Sequence, residues 1–141
     1  MFGAKKNFIM PEAGSPKPEV LIVEDDFAFS QTMLALLEAE GFAATAVNST
    51  GEALELFSRR SYPIVVSDIY IDERTGLDVL RRARAVEPEC AVILITGQGT
   101  LDTVLEVCRK QLDCSPLPMV TPLGHGPQLD GVIDLLQQRL M

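Results

Sequence analysis

The sequence predicts an α/β fold in which helices cover both faces of a parallel sheet, the doubly wound arrangement. Short runs of apolar and β-branched residues at positions 20–23, 64–66 and 91–95 each stop abruptly at polar residues. Runs that are apolar at every position are typical of strands buried on both faces, as in a parallel sheet. Segments with apolar residues at helical spacing separate these runs, and that alternation indicates βαβ units.

Local signals define the individual elements. Gly41 follows an apolar helical stripe at the place where a left-handed C-cap belongs. Ser49 and Glu52 form the S-x-x-E pattern of a capping box, which opens a second helix. Pro88 closes a third helix that begins at Gly76. The full prediction places strands at residues 20–23, 42–47, 64–66, 91–95 and 117–120, and helices at 27–40, 49–57, 76–87, 100–110 and 128–140.

Size and composition favour one domain with a real core. The chain has 141 residues, of which 47% are hydrophobic. Residues 1–18 contain several prolines and show no period, so we expect a flexible leader followed by one domain over residues 19–141.

Charge and apolar patterning exclude two classes of partner. Lys and Arg number 12 against 20 Asp and Glu, which gives a net charge of -8. Such a surface repels a phosphate backbone, so we expect no direct binding of nucleic acid. No apolar run approaches the roughly 20 residues that cross a bilayer, so we expect no membrane span. The three cysteines, Cys90, Cys108 and Cys114, lack C-x-x-C spacing and are interpreted as reduced packing residues of a cytoplasmic protein.

Polar side chains collect where the predicted strands end. Glu24 and Asp25 follow the first strand, Asp68 the third and Thr96 the fourth. In doubly wound folds ligands bind at this edge of the sheet. Three carboxylates brought together repel one another unless a cation lies among them or one stays protonated. Oxygen ligands without His or Cys favour a hard cation, Mg²⁺ before Ca²⁺.

Four short motifs lie at or near the ends of the predicted strands: residues 20–26 (VLIVEDD), 67–69 (SDI), 76–77 (GL) and 94–97 (LITG). Together they resemble the receiver domains of bacterial two-component response regulators, and their order and spacing match that family from about residue 19 to residue 110. Each motif is weak alone, but the ordered set is specific. The resemblance implies a flavodoxin-like sheet of five parallel strands in the order 2-1-3-4-5, within three layers.

The resemblance also implies the roles of individual residues. Asp68 matches the phosphorylated aspartate, Glu24 and Asp25 the acidic pair that holds Mg²⁺, and Thr96 the switch hydroxyl. The backbone carbonyl of Tyr70 matches a further metal ligand. The implied partners are a sensor histidine kinase or phosphotransfer protein and a downstream effector, and the face formed by helices four and five could form a homodimer. The implied activity is limited to self-phosphorylation and self-dephosphorylation, so no conventional enzyme is expected.

The C-terminal third departs from the family pattern. The family carries a Lys-Pro pair after its fifth strand, and the best match here is Thr121-Pro122, so the switch lysine is missing. Asp72 stands where the family has a loop proline. Residues 107–126 are therefore either a true divergence or a sequence artefact. The missing lysine keeps a second interpretation open, a pseudo-receiver that binds proteins without regulated phosphorylation.

Two other classes of protein fit less well. A phosphatase of the haloacid-dehalogenase class needs a second aspartate two residues after the nucleophile, and Tyr70 stands there. A flavodoxin-like nucleotide binder needs a phosphate cradle after the first strand, where Glu24, Asp25 and Asp26 would repel phosphate.

Overall fold

The computed structural model describes residues 14–71, 74–95, 101–112, 120–123, 131–134 and 139–140. The chain divides into two compact units, Met1–Thr96 and Gly97–Met141. The predicted leader at residues 1–18 and the predicted domain over residues 19–141 stay predictions.

A parallel sheet with helices on both sides forms the first unit. Its four main strands pair in the order β2-β1-β3-β6, and all three pairings are parallel. This confirms the predicted α/β class and the order of the first four parallel strands. In chain order the unit contains β1 (Glu19–Val23), α1 (Phe27–Ala39), β2 (Ala43–Val47), α2 (Thr50–Phe57), β3 (Ile64–Asp68), β4 (Tyr70–Ile71), β5 (Arg74–Thr75), α3 (Gly76–Val86) and β6 (Ala91–Ile95).

The core lies on both faces of this sheet because successive strand residues point to opposite sides. One face buries Leu21 and Val65 against Phe57 of α2 and Val79 of α3. The other face buries residues such as Ile22 against the apolar stripe of α1. Helices therefore cover both sides of the strands, which makes the three layers that the sequence predicted.

The helix ends carry the signals seen in the sequence. The Asp26 carboxylate caps α1 by accepting from the N–H of Phe29 at 2.9 Å. The Ser49 hydroxyl caps α2 by accepting from the N–H of Glu52 at 3.1 Å. Gly41 follows α1 with a φ of +93°, as a left-handed helix end requires.

A two-stranded hairpin follows β3 where the sequence predicted only a loop. Tyr70 in β4 pairs with Thr75 in β5, and Ile71 pairs with Arg74. The hairpin leads directly into α3 at Gly76, so the chain folds back close to Asp68 before the helix begins.

The second unit corrects two predictions. It contains α4 (Leu101–Leu112) and three antiparallel strands, β7 (Val120–Leu123), β8 (Gly131–Asp134) and β9 (Arg139–Leu140), in the order β7-β8-β9. The predicted parallel strand at 117–120 is instead an antiparallel strand that begins at Val120 and pairs with β8. The parallel sheet accordingly has four strands among the described residues, and the five-stranded order 2-1-3-4-5 is not found there.

The predicted helix over residues 128–140 is also wrong, because its described residues lie in β8 and β9. Val132 and Ile133 are β-branched and Gly131 disfavours a helix, so strand pairing wins over the helical spacing of the leucines. The expected dimer face between helices four and five therefore lacks its second helix in the described part of the chain.

None of the helices that the structure describes is long and apolar enough to cross a membrane.

Candidate functional site

Parallel pairing brings the acidic residues to one edge of the sheet. β1 and β3 are neighbours in register, with Val23 opposite Ser67. Glu24 and Asp25 follow Val23 directly, and Asp68 is the last residue of β3. A carboxylate oxygen from each of the three acidic residues lies within 4.8 Å of the others. The three acidic side chains that the sequence singled out therefore form one cluster.

Glu24 is held in a buried position at the end of β1. Its side chain accepts from the N–H of Asp26 at 3.0 Å. Its own N–H donates to the carbonyl oxygen of Val47 at 3.1 Å, and its carbonyl oxygen accepts from the side-chain amide of Asn48 at 3.1 Å. The residue is only 4% exposed. Contacts from β2 and from the start of α1 thus fix both its main chain and its carboxylate.

Burial and neighbouring charge both act on this carboxylate. Burial raises the pKa of Glu24, the Asp26 N–H lowers it in part, and the charges of Asp68 and Asp25 raise it further. The charged form of Glu24 is therefore less favourable than that of a glutamate in water.

Asp68 is fixed by its own neighbours in the chain. The N–H of Tyr70 donates to Oδ1 of Asp68 at 3.1 Å, which orients the carboxylate. The hydroxyl of Ser67, which is fully buried, donates to the carbonyl oxygen of Asp68 at 2.9 Å. Asp68 itself is half-buried, so its carboxylate can be reached from solvent.

The donor set fits a hard divalent cation. Three carboxylates supply oxygen ligands and negative charge, which Mg²⁺ and Ca²⁺ prefer. Asp25 is exposed, so waters can complete the coordination on that side. The cluster could therefore hold a metal ion with a nucleophilic carboxylate beside it.

Two switch residues predicted from the resemblance are not part of this geometry. Thr96 lies outside the described residues. Thr121 lies in β7, opposite Ile133. Their roles, and that of the Tyr70 carbonyl as a ligand, stay predictions.

Three residues of the site environment were missed in the sequence. Asn48 was passed over because the capping box that follows it explained the segment. Ser67 and Gly76 appeared only as parts of motifs, and no local signal shows which main-chain atoms lie against them. The contacts of Asn48 and Gly76 depend on the tertiary approach of β2 and α3 to the strand ends.

The family model for the response regulator receiver domain matches residues 20–113. This chain belongs to that family. The chain is similar to CtrA of Caulobacter vibrioides, a cell cycle transcriptional regulator, with 30% identity over 84 residues, which are 60% of this chain and 36% of CtrA. The chain spans 21–48% of the length of the first curated relatives that it matches.

Solved receiver structures share the fold. A receiver domain from Clostridium thermocellum is 29% identical, with a TM-score of 0.59 over 67% of this chain and 75% of that one. A response regulator from Burkholderia pseudomallei is 20% identical, with a TM-score of 0.60 over 66% of this chain and 55% of that one. That second structure carries a phosphorylated aspartic acid, a calcium ion and citrate. At this identity the likeness shows the fold alone.

Proposed function

We propose that this receiver domain accepts a phosphoryl group on Asp68 with the help of Mg²⁺ held by Glu24, Asp25 and Asp68. The observation that carries the proposal is the cluster of three carboxylates, whose oxygens approach within 4.8 Å at the ends of β1 and β3. A phosphorylated aspartate and a divalent cation in the Burkholderia pseudomallei regulator support the same chemistry on the same fold.

Asp68 acts as the nucleophile. One of its carboxylate oxygens attacks the phosphorus atom of a phosphohistidine or an acyl phosphate, and the bond from phosphorus to the donor breaks. The product is an acyl phosphate on Asp68, and the donor leaves as free imidazole or carboxylate. The Tyr70 N–H holds the carboxylate in one orientation, so less rotational freedom is lost when the donor arrives.

The bound cation would neutralise the charge that otherwise keeps the phosphoryl donor away from the carboxylates. Glu24 and Asp25 contribute by holding that charge beside Asp68, one from a buried and one from an exposed position.

The donor is a sensor histidine kinase or a phosphotransfer protein, and the signal passes to an effector. Curated relatives such as CtrA are transcriptional regulators, and the part of CtrA that this chain matches is 36% of its length. The counterpart that we propose for this chain is a downstream effector protein or domain. The cytoplasm is the expected compartment.

The switch uses the Thr96 hydroxyl to bind the new phosphoryl group, which biases a pre-existing equilibrium. Phosphorylation changes this equilibrium only by the difference in its interactions with the two states. A missing lysine removes one such interaction, so the shift is partial.

Phosphorylation with a small donor tests the proposal. Incubation of the protein with acetyl phosphate and Mg²⁺ should add the mass of one phosphoryl group, and hydroxylamine should remove it. Asp68→Asn should abolish the added mass. Asp78→Asn should keep it, because Asp78 lies in α3 and pairs with Arg81 at the surface. A wild-type protein that gains no label from acetyl phosphate or from a histidine kinase panel supports a pseudo-receiver instead.

A further inference from the structure

Ser67 and Gly76 contact the main chain of Asp68, although neither residue takes part in the proposed phosphoryl transfer. Ser67, the preceding residue in β3, is 0% exposed, and its hydroxyl donates to the carbonyl oxygen of Asp68. Gly76, the first residue of α3, lies directly against the same carbonyl group. A Cβ built on Gly76 would overlap that oxygen and would lie 2.9 Å from Ser67 Oγ and 3.0 Å from the Asp68 carbonyl carbon.

We propose that Ser67 and Gly76 are positioning residues, which fix the Asp68 carboxylate by clamping the Asp68 carbonyl between the Ser67 hydroxyl and the start of α3. This inference rests on the proposed function of Asp68 and adds the means by which its geometry is set.

The choice of serine at position 67 supports the proposal. β3 and its neighbours bury apolar residues, and a buried hydroxyl is costly unless it finds an acceptor. The acceptor that Ser67 finds is the carbonyl oxygen of the residue that carries the functional carboxylate. The hydroxyl of this fully buried residue is therefore satisfied by its bond to the main chain of Asp68.

Position 76 requires glycine because there is no space for a Cβ atom beside the Asp68 carbonyl. Positive φ values are found at Gly14 and Gly41 among the described glycines, so Gly76 does not need an unusual backbone conformation. Its N–H donates to the carbonyl oxygen of Ile69 at 2.7 Å. The N–H of Ile69 in turn donates to Ile95 of β6 at 3.0 Å. The start of α3 thus contacts the carbonyls of both Asp68 and Ile69.

These contacts reach the carboxylate through the main chain. The Asp68 carboxylate is oriented by the N–H of Tyr70, two residues further along. If the carbonyls of Asp68 and Ile69 shift, the peptide that presents the Tyr70 N–H shifts with them. The Asp68 carboxylate then no longer lies at the right distance from the carboxylates of Glu24 and Asp25 to share a metal ion with them.

The first experiment compares two glycine-to-alanine variants. Gly76→Ala should lower the rate of phosphorylation by acetyl phosphate by about 100-fold, the effect of a misplacement near 1 Å. Gly51→Ala is the matched control, because a Cβ at Gly51 in α2 meets only Ser49 Oγ at 3.9 Å. The control should phosphorylate at the wild-type rate.

The second experiment remains decisive if Gly76→Ala fails to fold. Ser67→Ala removes the hydroxyl and adds no bulk, and it should lower Mg²⁺ affinity by about tenfold. Ser58→Ala is the control, since it removes an exposed hydroxyl that donates to the Glu55 carbonyl at 2.6 Å. In ¹H-¹⁵N spectra the Tyr70 amide resonance should move in Ser67→Ala and stay in place in Ser58→Ala.

The Tyr70 resonance separates positioning from simple loss of stability. A purely structural role for Ser67 would lower the free energy of unfolding but leave the Tyr70 amide shift and the Mg²⁺ affinity of the folded protein unchanged, and that result would overturn the proposal. If wild-type protein binds no Mg²⁺ and takes no phosphoryl group, the proposed function fails. The Tyr70 amide shift still reports on the clamp in that case.

Discussion

The side-chain amide of Asn48 donates a hydrogen bond to the main-chain carbonyl oxygen of Glu24 at 3.1 Å. This bond joins the end of β2 to the end of β1, and it acts on the residue whose carboxylate is the most buried of the three. The N–H of Asn48 also donates to the Glu52 carboxylate at 3.2 Å, which ties this bond to the first turn of α2.

Asn48→Ala should therefore loosen Glu24. We expect the free energy of unfolding to fall by about 1 kcal/mol, the usual value of one such hydrogen bond. Mg²⁺ affinity should fall by about threefold to tenfold, because the carboxylate loses part of its support. Thr32→Ala is the control, since Thr32 donates to Ala28 on the exposed side of α1. Calorimetric titration with equal Mg²⁺ affinity in both variants would contradict the prediction.

Asp25→Asn and Asp26→Asn should have different effects on metal binding. Asp25 belongs to the carboxylate cluster, whereas Asp26 caps α1. Asparagine caps helices about as well as aspartate, so Asp26→Asn changes the net charge at little structural cost. We expect Mg²⁺ affinity to fall by about tenfold in Asp25→Asn and by no more than about twofold in Asp26→Asn. Tyrosine fluorescence during Mg²⁺ titration measures both, because Tyr70 lies two residues from Asp68. Equal losses of Mg²⁺ affinity in the two variants would show that only the net charge near the site matters, and not the position of Asp25 in the cluster.

Glu24→Gln should stabilise the metal-free protein while it weakens metal binding. Burial and two nearby carboxylates raise the pKa of Glu24, so its charged form destabilises the fold at neutral pH. Glutamine keeps an oxygen that can accept from the Asp26 N–H. We expect a higher midpoint in urea without Mg²⁺ and about a tenfold loss of Mg²⁺ affinity. A urea midpoint for metal-free Glu24→Gln below that of wild type would show that the charge of Glu24 does not destabilise the fold.

Cys90 should make stability depend on pH in alkaline solution. Burial raises the pKa of its thiol above 9.0, Arg84 lowers it in part, and Glu87 adds to the rise. The stabilising contribution of the neutral thiol is therefore complete below pH 9 and is lost as pH rises through the raised pKa. Cys90→Ala should be less stable by about 1 kcal/mol at neutral pH, and this gap should narrow above pH 9. If the free energies of unfolding of wild type and Cys90→Ala change in parallel from pH 7 to 11, the raised pKa of Cys90 does not affect stability.

Thr121→Lys tests the missing cation of the family pattern. If Thr121 occupies the lysine position, the new ammonium group should lower Mg²⁺ affinity by competing for the carboxylates. It should also enlarge the phosphorylation-dependent NMR shifts of α4, because a charge-assisted contact to the phosphoryl group is worth about 1.5–3 kcal/mol. Thr45→Lys makes the same change at an exposed position of β2 and controls for net charge. If the two variants behave alike, Thr121 is not at the lysine position.

The N-terminal two-thirds of the fold could be predicted because its signals are local and redundant. The apolar run before Glu24 and the apolar run before Asp68 each mark a buried strand, and parallel strands place their ends together. The carboxylate cluster follows from that rule. The hairpin at Tyr70–Ile71 was missed because two-residue strands show no periodicity.

The C-terminal part could not be predicted in the same way. Leu129, Val132, Ile133 and Leu136 have helical spacing in the sequence, yet Val132 and Ile133 lie in a four-residue strand at Gly131–Asp134. Periodicity alone does not separate these alternatives over so short a run. The contact between Gly76 and the Asp68 carbonyl likewise depends on tertiary packing, because no local sequence pattern gives the distance between α3 and the end of β3.

The burial of Glu24 also affects how the chain would respond to selection. A charge that destabilises the metal-free fold is removed first when heat resistance is the only requirement, as is usual where activity and stability compete. A library screened for survival of heating in a chelator should thus accumulate uncharged residues at position 24. The same library screened with Mg²⁺ present should retain Glu24, because a ligand that binds only the folded state returns the lost stability.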